Sequence, residues 1–221
     1  MEQKVQKQVL KRNILFWGSL AEKYIGVTFL IIWFYVIFFS YIGGKKIFGT
    51  EEMWEIWFTY QVMLLLVSTV VVPMSYGMVY IPLVMSFGSR RDETVWGFQI
   101  VNWLVLGEMG GLLVLFACFS SLVSKQGVCL ILLGGVIGMA LGQFSTALGL
   151  RFGMKGVWFV TMLIMVLIVT GGGVLGLIIA RMGGIVIQQR WLWIAAGAAV
   201  VLYIGSIFAL RQIVRNYEVR R

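Results

Sequence analysis

Apolar residues in this chain gather into six long runs, and charged residues are confined almost wholly to the gaps between them. The runs lack the alternation of a half-buried strand, so each is expected to be helical. A helix needs about 20 apolar residues to cross a hydrocarbon core of about 30 Å, where it must satisfy its own backbone hydrogen bonds. The expected spans are Tyr24 to Gly44, Ile56 to Met85, Ile100 to Val123, Val128 to Leu150, Val157 to Ala180 and Trp191 to Leu210. The fold class is therefore all-α, a polytopic membrane bundle of six transmembrane helices over residues 24–210. An N-terminal amphipathic interfacial helix over 1–23 precedes it, and a basic tail over 211–221 follows it.

In the leading segment, Val5, Val9, Leu10, Ile14, Trp17 and Leu20 recur at helical spacing against Lys4, Lys7, Lys11 and Arg12. A helix of that pattern lies flat at a membrane surface, as a passive anchor or as an elbow that carries motion into the first span. The second run is too long for a perpendicular crossing: 30 residues extend about 45 Å, so tilt, a kink or a projection is expected, with Pro73 and Pro82 as the places where the ladder is broken. Small residues recur on single faces: Gly134, Gly138 and Gly142 in the fourth run, Gly172, Gly176 and Ala180 in the fifth, Gly107 and Gly111 in the third. Such faces let helices approach closely in lipid.

Composition sharpens this picture. At 60% hydrophobic and 12% charged, the 221-residue chain has no room for a separate soluble catalytic domain. No cleaved leader is expected, because the first apolar run starts late and lacks a small-residue cleavage site. The net charge of +9 flanks the spans rather than forming a patch, which points to lipid headgroups and away from nucleic acid. Thirteen of the 18 basic residues fall on one side of the six-span arrangement, Arg90, Arg91, Arg151, Lys155, Arg211 and Arg215 among them. The positive-inside rule makes that side, with both termini, cytoplasmic. Cys118 and Cys129 read as small apolar fillers, and the absence of histidine from the sequence removes the usual zinc sites and histidine-activated nucleophiles.

The most informative polar segment runs from Ser86 through Phe87, Gly88, Ser89, Arg90, Arg91, Asp92 and Glu93 to Gly97. Gly88 allows a turn and Ser89 precedes Asp92 by three residues, a capping arrangement. A short helix is expected to start near Arg90, presenting Arg90 to Glu93 to the cytosol and laying Val95, Trp96 and Phe98 toward the membrane. Arg151 to Gly156 is a tight basic loop suited to headgroup anchoring. Glu108 is the acidic residue deep in an apolar run, a costly position that suits a structural, cavity-lining or ion-coupling role. Glu51, Glu52 and Glu55 lie beside Trp54 and Trp57 at the other side, where the aromatics fit an interfacial belt. No phosphate-binding loop occurs, since Gly43-Gly44-Lys45-Lys46 lacks its spacing. No paired carboxylates or activated nucleophile can be assembled from the membrane residues, so the chain is expected to have no catalytic, metal or cofactor site of its own.

With its amphipathic lead-in helix, its segment Ser86-Phe87-Gly88-Ser89-Arg90-Arg91 after an overlong second span and its turn Arg151-Phe152-Gly153-Met154-Lys155-Gly156, the chain resembles the six-span permease subunits of ABC-2 type exporters. The likeness is closest to the small ones of Gram-positive bacteria. It implies a bacterial plasma-membrane protein, and an ATPase on a separate cytoplasmic polypeptide that binds the ATP and magnesium. It also implies a second permease subunit, identical or paralogous, and export of an amphipathic peptide, antibiotic or lipid-like cargo. By that resemblance, Phe87 to Glu93 would be the ATPase-coupling loop. The segment Met182 to Gln189 is short for the outer gate of larger members. Two other classes fit the same composition: an ion-coupled secondary transporter built around Glu108, and a non-transporting adaptor or immunity subunit.

Overall fold

A computed structural model describes residues 51–119, 125–153, 155–156 and 189–217, with scattered positions between 11 and 38. The described residues are helical apart from short turns, and four long helices account for most of them. They are α1 (Glu51–Ser86), α2 (Arg91–Phe119), α3 (Lys125–Phe152) and α4 (Gln189–Asn216). All four are long and apolar enough to cross a membrane. Large apolar side chains stand exposed on every one of them, including Val67, Trp103 and Val201. In water such surfaces would drive association, and in lipid they are solvated. The chain is a helical membrane protein. The expected first and fifth spans, the lead-in helix and the residues Gly172 and Gly176 lie outside the described residues.

Proximities along the helices fix their directions. Gln61 and Leu65 of α1 meet Met109 and Gly110 of α2, while Gly77 meets Phe98, so α1 and α2 are antiparallel. Leu66, Thr69 and Pro73 of α1 meet Gly134, Gly138 and Gly142 of α3, so those two run parallel. Gln143 of α3 bonds Ser206 of α4, and Leu150 and Arg151 lie across from Ile213 and Asn216, so this pair is parallel as well. The ends of α1, α3 and α4 and the start of α2 therefore meet at one end of the bundle. That end carries Arg90, Arg91, Arg151, Lys155, Arg211 and Arg215, whereas Lys125 and Arg190 begin their helices at the other.

The main core follows the α1–α2–α3 seam through Leu65, Val72, Phe98 and Met139 and includes Tyr203, Leu210 and Val214 of α4. A smaller cluster of Trp57, Phe58, Leu113 and Phe116 closes the opposite end. Trp57 is only 5% exposed and packs on Phe116 with ring centroids 5.7 Å apart, so it is a core residue rather than part of the expected aromatic belt. At a scattered described position near the start of the chain, Phe16 meets Tyr80 edge-on at 5.7 Å.

At 36 residues α1 extends about 54 Å and overshoots the membrane core. It remains one helix through both prolines. Neighbouring hydroxyls attend to the proline region: Thr146 of α3 donates to the Pro73 carbonyl at 2.5 Å, and Ser75 donates to that of Val71.

The α1–α2 turn differs from expectation in one respect. Gly88 has φ +84°, Ser89 N–H donates to Val84 C=O, and Gly88 N–H donates to Met85 C=O. This is a Schellman termination, with glycine in the left-handed position that other residues resist. A helix does begin beside Arg90, but it is no separate short helix: from Arg91 it runs unbroken into the span. Val95 and Phe98 are buried in the core, and Trp96 is the member of the expected membrane-facing trio that stands exposed.

Candidate functional site

Two linked features stand out: a latch at the basic end and a polar core one to two turns deeper. In the latch, Asp92 in the first turn of α2 accepts from Arg211 Nε of α4 at 2.8 Å and lies 3.5 Å from Arg215 Nη2. Asp92 and Glu93 also suit the positive N-terminal end of the α2 dipole. Reciprocally, the guanidinium of Arg91 donates to the carbonyls of Arg215 and Tyr217, groups that the end of α4 leaves without intrahelical partners. Two consecutive residues of the turn thus hold both the side chains and the backbone of the α4 terminus. Phe87, at the tip of the turn, projects with 70% of its surface exposed. Thr94 bonds Ser89 Oγ at 3.1 Å and stiffens the inner side of the turn.

The polar core is assembled from three helices. Gln99 of α2 accepts on Oε1 from Gln143 Nε2 of α3 at 2.8 Å and from the Tyr203 hydroxyl of α4 at 2.7 Å. Gln143 Oε1 accepts from Ser206 Oγ of α4 at 2.9 Å, and that hydroxyl also lies 2.7 Å from the Tyr203 carbonyl. Trp103 packs edge-on against the Tyr203 ring at 5.3 Å. The position of α4 follows from its buried stripe of Ala199, Tyr203, Ser206, Leu210 and Val214, with most of its remaining surface outward.

Bonding capacity is left over in the buried interior of α1 and α2. Gln99 Nε2, both polar atoms of Asn102 and Ser68 Oγ are buried without a hydrogen-bond partner among the described residues. Unsatisfied polar atoms at membrane depth cost several kcal/mol each by order of magnitude, so water, a ligand or a second arrangement of the helices is their natural complement.

The glycines of α3 set how closely α1 approaches. A Cβ on Gly142 would lie 2.6 Å from the Val70 carbonyl oxygen, and one on Gly138 would lie 2.6 Å from Thr69 Oγ1. Gly134 is looser, with Leu66 at 3.3 Å. On α1 itself Gly77 receives Thr146, whose Cγ2 leaves no room for an added Cβ. Gly107 and Gly111, in contrast, face open space.

Glu108 stands on that same outward face of α2, exposed, while its neighbour Met109 is fully buried. It does not enter the polar core. Cys118 and Cys129 are free thiols. Among the described residues, no cluster of acidic and cysteine side chains could hold a metal. The sequence gives no reading of Gln99, Asn102, Gln143, Tyr203 or Ser206, and names Arg211 only for its charge. The available signal was three carboxamides, Gln99, Asn102 and Gln143, inside or at the edge of apolar runs, where each needs a partner.

The fold and this geometry define a polytopic helical membrane protein with a polar core tied to one surface turn. No family model, curated protein or solved structure matches the chain.

Proposed function

We propose that this chain is the membrane subunit of an ATP-driven exporter, worked by a separate ABC ATPase that supplies the ATP and magnesium site. The observation that carries the proposal is the double latch of Arg91 and Asp92 on the end of α4. A force applied at the α1–α2 turn would reach α4 directly, and α4 bears Tyr203 and Ser206 of the polar core. The unpaired Gln99 and Asn102 atoms of α2 provide donors and an acceptor for a second arrangement after α4 shifts.

In this reading the basic end is cytoplasmic and the chain sits in a bacterial plasma membrane with both termini inside. Phe87 seats in a groove of the ATPase, while Arg91 and Asp92 transmit its motion rather than make the docking contact. Two permease subunits enclose the route, whose apolar walls suit an amphipathic cargo. Glu108 lies outside the polar core, which favours this scheme over ion coupling through that carboxylate.

Purification of the tagged protein from its native membranes tests the proposal. A nucleotide-binding ATPase should co-purify, and Phe87→Asp should reduce its recovery at least several-fold while the permease remains folded. Asp92→Asn should keep the ATPase bound but weaken the coupling of hydrolysis to export in vesicles. Purification with no ATPase, together with gradient-driven transport in vesicles lacking ATP, would overturn it.

A further inference from the structure

Between α2 and α4 at the basic end lies a groove of about 210 Å³, walled by Val95, Trp96, Ile204, Ile207 and Phe208. Its mouth is formed by Asp92 and Arg211, and Gln99 lines it from within. Phe208 and Arg211 are shared with an adjoining recess of about 300 Å³ that is lined also by Gln212, Arg215 and Asn216. The apolar slot thus shares a wall with a basic, hydrogen-bonding recess.

We propose that this slot and pocket bind one anionic phospholipid from the leaflet at the basic end, with its phosphate on Arg211 and Arg215 and an acyl chain along Trp96, Ile204 and Phe208. Charge argues for the anion. Two guanidiniums share the single Asp92 oxygen, at 2.8 and 3.5 Å, so one positive charge is left uncompensated. The open face argues for a lipid: Trp96 is 59% and Phe208 65% exposed, and both stand beside a pocket of opposite polarity.

Headgroup and tail therefore each meet the chemistry they require: guanidiniums at the basic recess and an apolar slot beside it. This inference needs only membrane residence and stands or falls apart from the exporter reading.

The test titrates the detergent-purified full chain with dioleoylphosphatidylglycerol or dioleoylphosphatidylcholine and follows the first bound lipid by native mass spectrometry. Phosphatidylglycerol should bind at least about five-fold tighter, the preference expected of one basic residue at a membrane surface. Arg215→Gln, at an exposed position that leaves the Asp92–Arg211 pair intact, should remove most of that preference without changing phosphatidylcholine binding. Ile204→Trp, which fills the slot, should weaken both lipids. Equal phosphatidylglycerol binding by the wild type and both variants would overturn the proposal. So would full competition by inorganic phosphate alone, or a dimer that Ile204→Trp converts to monomer, which would mean that a second copy occupies the groove.

Discussion

At the scale of single residues, two glycines on neighbouring helices carry opposite expectations. An added methyl at Gly142 would press on the Val70 backbone oxygen, an atom that cannot rotate away, whereas one at Gly107 meets nothing within 4 Å. Gly142→Ala should therefore cost about 1–3 kcal/mol through overpacking. Gly107→Ala should be neutral, or stabilising by up to about 1 kcal/mol through helix propensity. Thermal unfolding in detergent, run on both variants, checks the contrast. The stripe of Gly134, Gly138 and Gly142 is visible in the letters, but so is that of Gly107 and Gly111. Spacing alone does not say which stripe faces a helix, because that depends on where the neighbouring helix lies. The carboxamides show the same limit from another side. A glutamine in an apolar run announces that it needs a partner, yet the pairing of Gln99 with Gln143 and Tyr203 spans 44 and 104 residues and is set only by packing.

That pairing makes a prediction about energies. Gln99→Leu strands Gln143 Nε2 and the Tyr203 hydroxyl, so it should cost about 1–3 kcal/mol, the penalty for buried groups left unsatisfied. Gln143→Leu strands less, because Ser206 Oγ already reaches the Tyr203 carbonyl and Gln99 Oε1 keeps Tyr203. The double variant should cost clearly less than the sum of the two. A double-mutant cycle from unfolding in detergent measures that coupling, and strict additivity would show that the bond contributes nothing.

At the scale of elements, the third apolar run illustrates how a correct local reading can give the wrong boundary. Arg90 to Glu93 carry the signs of a turn and a helix start, and both are there. What the charges concealed is that the same helix continues for 29 residues, about 43 Å, so its first turns stand beyond the hydrocarbon while still belonging to the span. The Asp92 latch joins this projecting turn to α4 through side chains that are 48% and 39% exposed. Exposed pairs contribute little to stability, and less in high salt, so Asp92→Asn should barely move the melting temperature. Its effect should be local. Hydrogen exchange at residues 211–217 should rise severalfold while residues 199–206 remain protected. Gly88→Ala acts on the same joint through the backbone, where the left-handed position should cost about 1–2 kcal/mol.

At the scale of the whole molecule, charge and topology converge on one asymmetry. Helix directions derived from contacts bring Arg90, Arg91, Arg151, Lys155, Arg211 and Arg215 to the same end, and two described bases, Lys125 and Arg190, start helices at the other. Basic residues beside spans are retained on the cytoplasmic side, so the α1–α2 turn should face the cytosol and the start of α3 the exterior. The two free thiols can be replaced by serine, and single cysteines placed at Phe87 and Gln126, both exposed and both just outside the apolar stretch of their helices. In intact cells a membrane-impermeant maleimide should label Gln126→Cys and spare Phe87→Cys until the membrane is opened. The reverse pattern would invert the molecule. It would place the Arg91–Asp92 latch beyond the reach of any cytoplasmic ATPase, and the exporter reading would fall even though the fold, the polar core and the lipid groove stood unchanged.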